Sequence, residues 1–274
     1  MTIRNVLSIA GSDPSGGAGI QADLKAFSAR GTYGMAALTA LTAQNTQGVT
    51  AIHALPPDFV AAQIEAIFSD IRVDAIKIGM IANAQIAGTV AEMLEARAAG
   101  IPIVLDPVMV AKGGAPLLAN DANQAIIERL LPLATVITPN LPEAASLLGE
   151  PEAETREGMA DQARRLLRRG PRAVLIKGGH LQCDDSPDVL AETGGVIWFE
   201  GARLKTRNTH GTGCTLSSAI AAELARGQIM AEAVRVAKAY LAEAIASAGS
   251  LSVGSGHGPV HHFVDLWKQG VTRR

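Results

Sequence analysis

Val6-Leu7-Ser8-Ile9-Ala10-Gly11-Ser12-Asp13-Pro14-Ser15-Gly16-Gly17-Ala18-Gly19-Ile20-Gln21-Ala22 decides the architecture of this chain. It opens with a short, mainly apolar run at 6–10 that does not alternate. Such a run suits a strand covered on both faces. A turn rich in Gly, Ser and Pro follows, and the pattern then becomes amphipathic over 18–29. The same order recurs along the chain. Apolar runs at 75–78, 103–105, 136–137 and 173–176 read as further strands, and amphipathic segments at 58–68, 84–98, 120–131, 142–148 and 155–169 read as helices. Strand–helix alternation predicts an α/β fold, with a mostly parallel sheet, right-handed crossovers and flanking helices. Residues 188–192 and 196–200 flank Gly194-Gly195 and read as a hairpin. Helices are expected at 213–226 and 231–248, and loop from Gly249 onward. Residues 31–55 differ: their Thr-rich alternation around Gln47-Gly48 predicts strands with a polar side, a small β flap. There is no low-complexity linker and no internal repeat, so 1–274 reads as one domain.

The totals narrow the function. The formal charge is -2 and no long basic run occurs, which argues against nucleic acid as the main partner. No apolar run approaches the ~18 residues of a membrane span. The first residues lack a signal-peptide pattern. Cys183 and Cys214 are the only cysteines, too few for a disulfide framework, so a cytoplasmic location is expected. Aromatic residues make up only 3%, and the core must rest on Ala, Leu, Ile and Val.

In a parallel sheet the ligand crevice lies outside the carboxyl ends of the strands. Four such ends carry polar or glycine-rich turns: Gly11–Gly19, Asp106-Pro107-Val108, Thr138-Pro139-Asn140-Leu141-Pro142-Glu143 and Lys177-Gly178-Gly179-His180. Gly17-Ala18-Gly19-Ile20-Gln21-Ala22 fits a loose dinucleotide fingerprint, but no acidic residue follows at the ribose-binding distance. A tight strand-to-helix turn is the plainer reading. No G-x-x-x-x-G-K-S/T occurs, which excludes a P-loop. Asp106 and Glu143, with the oxygen of Asn140, suit Mg²⁺ shared with phosphates or, equally, helix caps. Lys177 is either a point charge for phosphate or a solvated lysine.

Thr209-His210-Gly211-Thr212-Gly213-Cys214-Thr215 runs straight into a helical pattern of Leu216, Ile220 and Leu224. A helix opening on glycines offers free N–H groups and a positive dipole end, which attract phosphate. Cys214 falls in that first turn, where a thiol ionises more readily than in free solution. It reads either as a base or as a small buried side chain. His210 and Cys214 find no partners with zinc spacing. His261-His262 reads as surface, and Cys183 as incidental in a polar loop.

These motifs together, with Thr42-Ala43-Gln44-Asn45-Thr46 and Lys77-Ile78-Gly79-Met80, resemble the hydroxymethylpyrimidine/phosphomethylpyrimidine kinases within the ribokinase-like superfamily. The likeness covers nearly the whole chain. The T-P-N-x-x-E and G-T-G-x patterns are shared with pyridoxal kinases, which usually carry Asp where Cys214 stands. The resemblance implies a ribokinase-like three-layer sandwich, ATP and Mg²⁺ as cosubstrates, and a homodimer. It implies two successive phosphorylations of 4-amino-5-hydroxymethyl-2-methylpyrimidine. By motif, Gln44, Gly11, Asp23 and Met80 would line the pyrimidine pocket. Gly211, Thr212 and Gly213 would form an anion hole beside Cys214. Asp106 and Glu143 would serve the metal, and Asn140, Lys177 and Thr212 the phosphates.

Overall fold

The computed structural model describes residues 2–109, 122–182 and 184–271. Its strands are β1 (Asn5–Ser12), β2 (Tyr33–Asn45), β3 (Gly48–Ala54), β4 (Ala75–Ile78), β5 (Ile103–Leu105), β6 (Val136–Ile137), β7 (Val174–Lys177), β8 (Asp188–Glu192) and β9 (Gly195–Phe199). They form one nine-stranded sheet in the order β3-β2-β1-β4-β5-β6-β7-β8-β9. The middle six run parallel, and β3, β8 and β9 join antiparallel at the two edges. The helices are α1 (Gly19–Ala29), α2 (Pro57–Phe68), α3 (Ala84–Arg97), α4 (Ala122–Ala125), α5 (Leu141–Leu148), α6 (Arg156–Leu167), α7 (Thr212–Ala225), α8 (Met230–Ala246) and α9 (Val264–Val271).

Two cores make this a three-layer, ribokinase-like sandwich. Successive strand residues point to opposite faces, so each central strand feeds both. Ile76 and Ile78, Ile103 and Leu105, and Val174 and Ile176 pack toward α2, α3, α5 and α6. Ala75, Val104 and Leu175 pack toward α1, α7 and α8. On that second face Ala219, Ala221 and Ala222 of α7 are fully buried. Small side chains bring α7 close to the sheet and place its first turn over the strand ends.

Three expectations change. The segment 31–55 is only half a flap, because Tyr33–Leu41 pairs in parallel with β1 inside the main sheet. The hairpin with β3 takes up the rest, from Ala40 onward. The expected helix over 120–131 is described from Ala122, and it widens to a π-helical turn at Ile126–Leu130. Beyond Gly249 the chain is not all loop. It closes with α9, two turns whose length and Gly270 hide the helical period. The intervening loop packs on the β2–β3 tip: a Cβ on Gly254 would overlap the Thr46 hydroxyl, and one on Gly256 the Thr46 carbonyl.

Candidate active site

The head of α7 is where the strand ends converge. Gly211 is its N-cap, held at φ 77 with no side-chain cap. No side chain takes the first N–H groups of the helix, and the Thr212 N–H makes only a long contact to the Thr209 carbonyl at 3.4 Å. Close packing requires glycine here. A Cβ on Gly211 would overlap the Gly17 carbonyl, and one on Gly213 would lie 3.2 Å from Lys177 Nζ and 3.4 Å from Asp106 Oδ2. The Gly17 and Gly19 turn thus serves close packing rather than a dinucleotide, since a Cβ on Gly17 would strike the His210 ring.

Lys177 leaves β7 beside this helix head. Its ammonium donates to Asp106 Oδ1 at 2.9 Å and lies 3.8 Å from Glu143 Oε2. Asp106 also accepts from Thr138 Oγ1 at 2.9 Å and, weakly, from Ser217 Oγ at 3.4 Å. Burial works to raise the Asp106 carboxyl, but the Lys177 and Lys77 ammonium groups outweigh it and hold it below the usual range. Burial lifts Glu143 to about 7 against the pull of Lys177. Of the two readings open for Glu143, capping is realised: Asn140 and Glu143 form a reciprocal capping box at the start of α5. A parallel bridge sets Asn140 beside Lys177. No group of three or more His, Cys, Asp or Glu side chains among the described residues could cage a metal ion. Two carboxylates beside an ammonium fit a Mg²⁺ that arrives with phosphates and keeps its waters.

Two expected site residues have surroundings that their motifs hid. Asp23 belongs to a buried polar cluster. It is fully buried and accepts from both Lys77 Nζ contacts at 2.9 Å, from Ser8 Oγ at 2.6 Å and from Ser218 Oγ at 2.7 Å. Cys214 is not readily ionised. Burial pushes its thiol up to about 11, against the pull of Lys77 and a backbone N–H of Gly19. The helix start is real, yet desolvation outweighs it. Gly11 and Met80 do meet, since a Cβ on Gly11 would sit 2.9 Å from Met80 Sδ. Gln44 lies half-buried near the end of β2, one end of its carboxamide 3.4 Å from His210 Nε2.

The family model described as phosphomethylpyrimidine kinase matches residues 13–261. The chain belongs to the phosphomethylpyrimidine kinase family. It is 54% identical over 263 residues to the hydroxymethylpyrimidine/phosphomethylpyrimidine kinase of Salmonella typhimurium, covering 96% of this chain and 98% of that one. Among solved structures, an ADP complex of pyridoxal kinase from Bacillus subtilis superposes with a TM-score of 0.87 at 38% identity, covering 95% of this chain and 98% of that one. Phosphomethylpyrimidine kinase from Clostridium difficile 630 gives 0.79 at 44%, covering 88% and 99%.

Within this kinase fold the structure adds residues that the sequence reading passed over. Lys77 has no exposed surface. The signal was present: a lysine inside the apolar run Ala75-Ile76-Lys77-Ile78 needs a buried counter-charge. His261 and His262 are buried rather than surface. His262 Nε2 lies 3.0 Å from Thr215 Oγ1 in the first turn of α7, and burial pulls its pKa down to about 3. His210 pairs with Asp13 at 2.8 Å. Cys183 lies outside the described residues.

Proposed function

We propose that this chain transfers the terminal phosphoryl group of ATP to the hydroxymethyl oxygen of 4-amino-5-hydroxymethyl-2-methylpyrimidine, and then to the monophosphate so formed, in thiamine biosynthesis. The observation that carries the reading is the uncapped head of α7 set against Lys177 and Asp106, in a chain of this family. Phosphoryl transfer needs positioning and charge stabilisation more than covalent chemistry. The N–H groups around Gly211, Thr212 and Gly213 receive the charge that spreads over the migrating group. Lys177 supplies a compact positive charge beside them, and Asn140, bridged to Lys177, serves the nucleotide phosphates. Asp106 and Glu143 would hold Mg²⁺, which would neutralise phosphate charge. Gln44 reads the aminopyrimidine edge, and Gly11 and Met80 line the ring.

Cys214 assists only the first step. There the nucleophile is a neutral alcohol that must lose a proton. In the second step it is a phosphate oxygen that is already anionic. No helix among the described residues is long and apolar enough to cross a membrane. We propose a cytoplasmic homodimer, which light scattering on the purified protein tests. The decisive assay supplies ATP and Mg²⁺ with the hydroxymethylpyrimidine and resolves mono- and diphosphate products. Both products are expected in sequence. The 38% identical pyridoxal kinase makes pyridoxal the competing acceptor. Turnover of pyridoxal with none of the pyrimidine would overturn the reading.

A further inference from the structure

Gln44 has polar neighbours on two sides, and only one placement of its carboxamide satisfies both. One end of the amide lies 3.4 Å from His210 Nε2 and the other lies 3.1 Å from Thr42 Oγ1. His210 Nε2 lies 2.8 Å from Asp13 Oδ2. Burial works to raise Asp13, but hydrogen bonds from His210 and Ser15 hold it below the usual range, so it is an acceptor only. It also accepts from the backbone N–H groups of Ser15, Gly17 and Ala18. His210 Nε2 must therefore carry the hydrogen, which leaves it no lone pair to accept an amide N–H, so the group facing it on Gln44 should be the oxygen. Thr42 gives the same answer independently. Its single hydroxyl proton goes to the Ser12 carbonyl at 2.8 Å, which can only accept. Thr42 thus shows lone pairs to Gln44 and asks for an N–H. A carboxamide exchanges oxygen and nitrogen by a half-turn, and its hydrogen-bond network decides the assignment. Both neighbours place the oxygen toward His210 and the amino group toward Thr42.

We propose that Thr42 and the Asp13–His210 pair lock the Gln44 amide in this one orientation, and that the lock selects a 4-aminopyrimidine over its 4-oxo counterpart. The inference rests on the reading of Gln44 as the pyrimidine contact. A 4-aminopyrimidine offers a donor at its amino group and an acceptor at N3, which match a fixed amide oxygen and amide N–H. The 4-oxo form offers the reverse, an acceptor at O4 and a donor at N3–H. Against a fixed amide it meets oxygen with oxygen and N–H with N–H. A free amide would turn over and accept it. The packing makes the lock stiff. His210 is buried against Gly17, where any side chain would displace the ring, and Thr42 sits in the β2–β3 ladder opposite Ile52. The lock positions Gln44 and takes no part in the chemistry.

The test compares kcat/KM for the first phosphorylation of the hydroxymethylpyrimidine and of its 4-oxo analogue. The unaltered enzyme should prefer the amino form by roughly 100-fold or more, since the wrong edge leaves polar groups mispaired. Thr42→Val keeps the β-branched shape and removes the lone pairs. It should cut that preference about tenfold, mainly by gain on the 4-oxo analogue, with KM for ATP unchanged. Thr42→Ser should restore the preference. His210→Asn, which can still donate to Asp13, should act as Thr42→Val does and serves if that variant folds poorly. Equal losses on both substrates, or an unchanged preference in both variants, would overturn the lock. Gln44→Ala separates the two levels of the argument. A raised KM for the amino form alongside an unchanged preference in Thr42→Val sinks the orientation alone. An unchanged KM in Gln44→Ala sinks the pyrimidine reading of Gln44, and the lock with it.

Discussion

Lys77 of β4 and Lys177 of β7 both pair with an aspartate at 2.9 Å, yet their surroundings differ. Lys77 grips both oxygens of Asp23, neither side chain has any exposed surface, and Ser8 and Ser218 complete the carboxylate. Lys177 reaches one oxygen of Asp106, keeps 15% of its side chain exposed and stands near a second carboxylate, Glu143. The first pair is saturated and has little left to offer a ligand. The second keeps some exposed surface and lies beside Gly213 at the head of α7. What separates a structural ion pair from a functional one here is unspent hydrogen-bonding capacity. The two pairs are also linked through one helix. Ser218, which holds Asp23, lies one turn below Cys214 on the same face of α7, so the saturated pair fixes the floor on which the open one works.

The largest effect should come from breaking the saturated pair. Lys77→Met leaves Asp23 charged and buried, which costs about 3–5 kcal/mol. The double variant Lys77→Met/Asp23→Leu should recover most of that loss, because an apolar pair can replace a buried ion pair. Urea unfolding of the three proteins checks this, and a Lys77→Met single variant as stable as the parent would refute the comparison. Lys177→Met should show the opposite balance. Its stability loss should be smaller than that of Lys77→Met, while kcat should fall roughly 10²–10³-fold, the scale of losing one charge-stabilising donor.

A narrower effect is expected at Cys214. With the thiol at about 11, the thiolate is scarce at neutral pH and grows about tenfold for each pH unit up to that value. If it serves as base, kcat/KM for the first phosphorylation should climb with pH from 7 to 9 at a slope near one. The second step should show no such climb. Cys214→Ala should lower the first step by about 10²-fold at pH 7, the low end for a general base, abolish the slope and spare the second step. Equal losses in both steps, or a flat profile in the parent enzyme, would remove Cys214 from proton transfer.

Features carried by neighbouring residues were legible in the sequence, and features carried by distant partners were not. The apolar run at 103–105 followed by Asp106, and the glycine turn leading into Leu216, declare themselves within a few positions. So does Lys177 after its strand. The partner of Lys77 lies in α1, with β2, β3 and α2 between them in the chain, and nothing local distinguishes Asp23 from a helix-surface aspartate. Ionisation of Cys214 is hidden for the same reason: the helix start is local, whereas the burial that overrides it is tertiary, and the Asp23 and Asp106 carboxylates that add to it come from distant positions. The polar alternation of 31–55 concealed that its first half pairs with β1. A Thr-rich strand can be buried where its hydroxyls find partners, as Thr39 does on the Met80 carbonyl at 2.7 Å.

The smallest effect concerns His262, and the contrast of two buried titrating groups makes it measurable. Burial pulls His262 down to about 3, whereas an unfolded histidine titrates near 6.5. Between those values the unfolded chain binds a proton that the folded chain refuses. Stability from this group is therefore present above pH 6.5 and is lost as pH falls toward 3. Glu143 acts in the opposite direction. Its folded value is about 7 against 4.5, so the folded chain holds the extra proton and stability rises as pH falls from 7 to 4.5. The two partly offset each other in the whole protein, and the acid limb alone cannot display either. Subtraction can. The stability of His262→Gln minus that of the parent should grow by about 1–2 kcal/mol between pH 7 and pH 5. It should stay flat from pH 7 to pH 8. A difference that does not change with pH would mean that the imidazole takes up its proton in the folded state, and that the first turn of α7 rests on a charged rather than a neutral Thr215 partner.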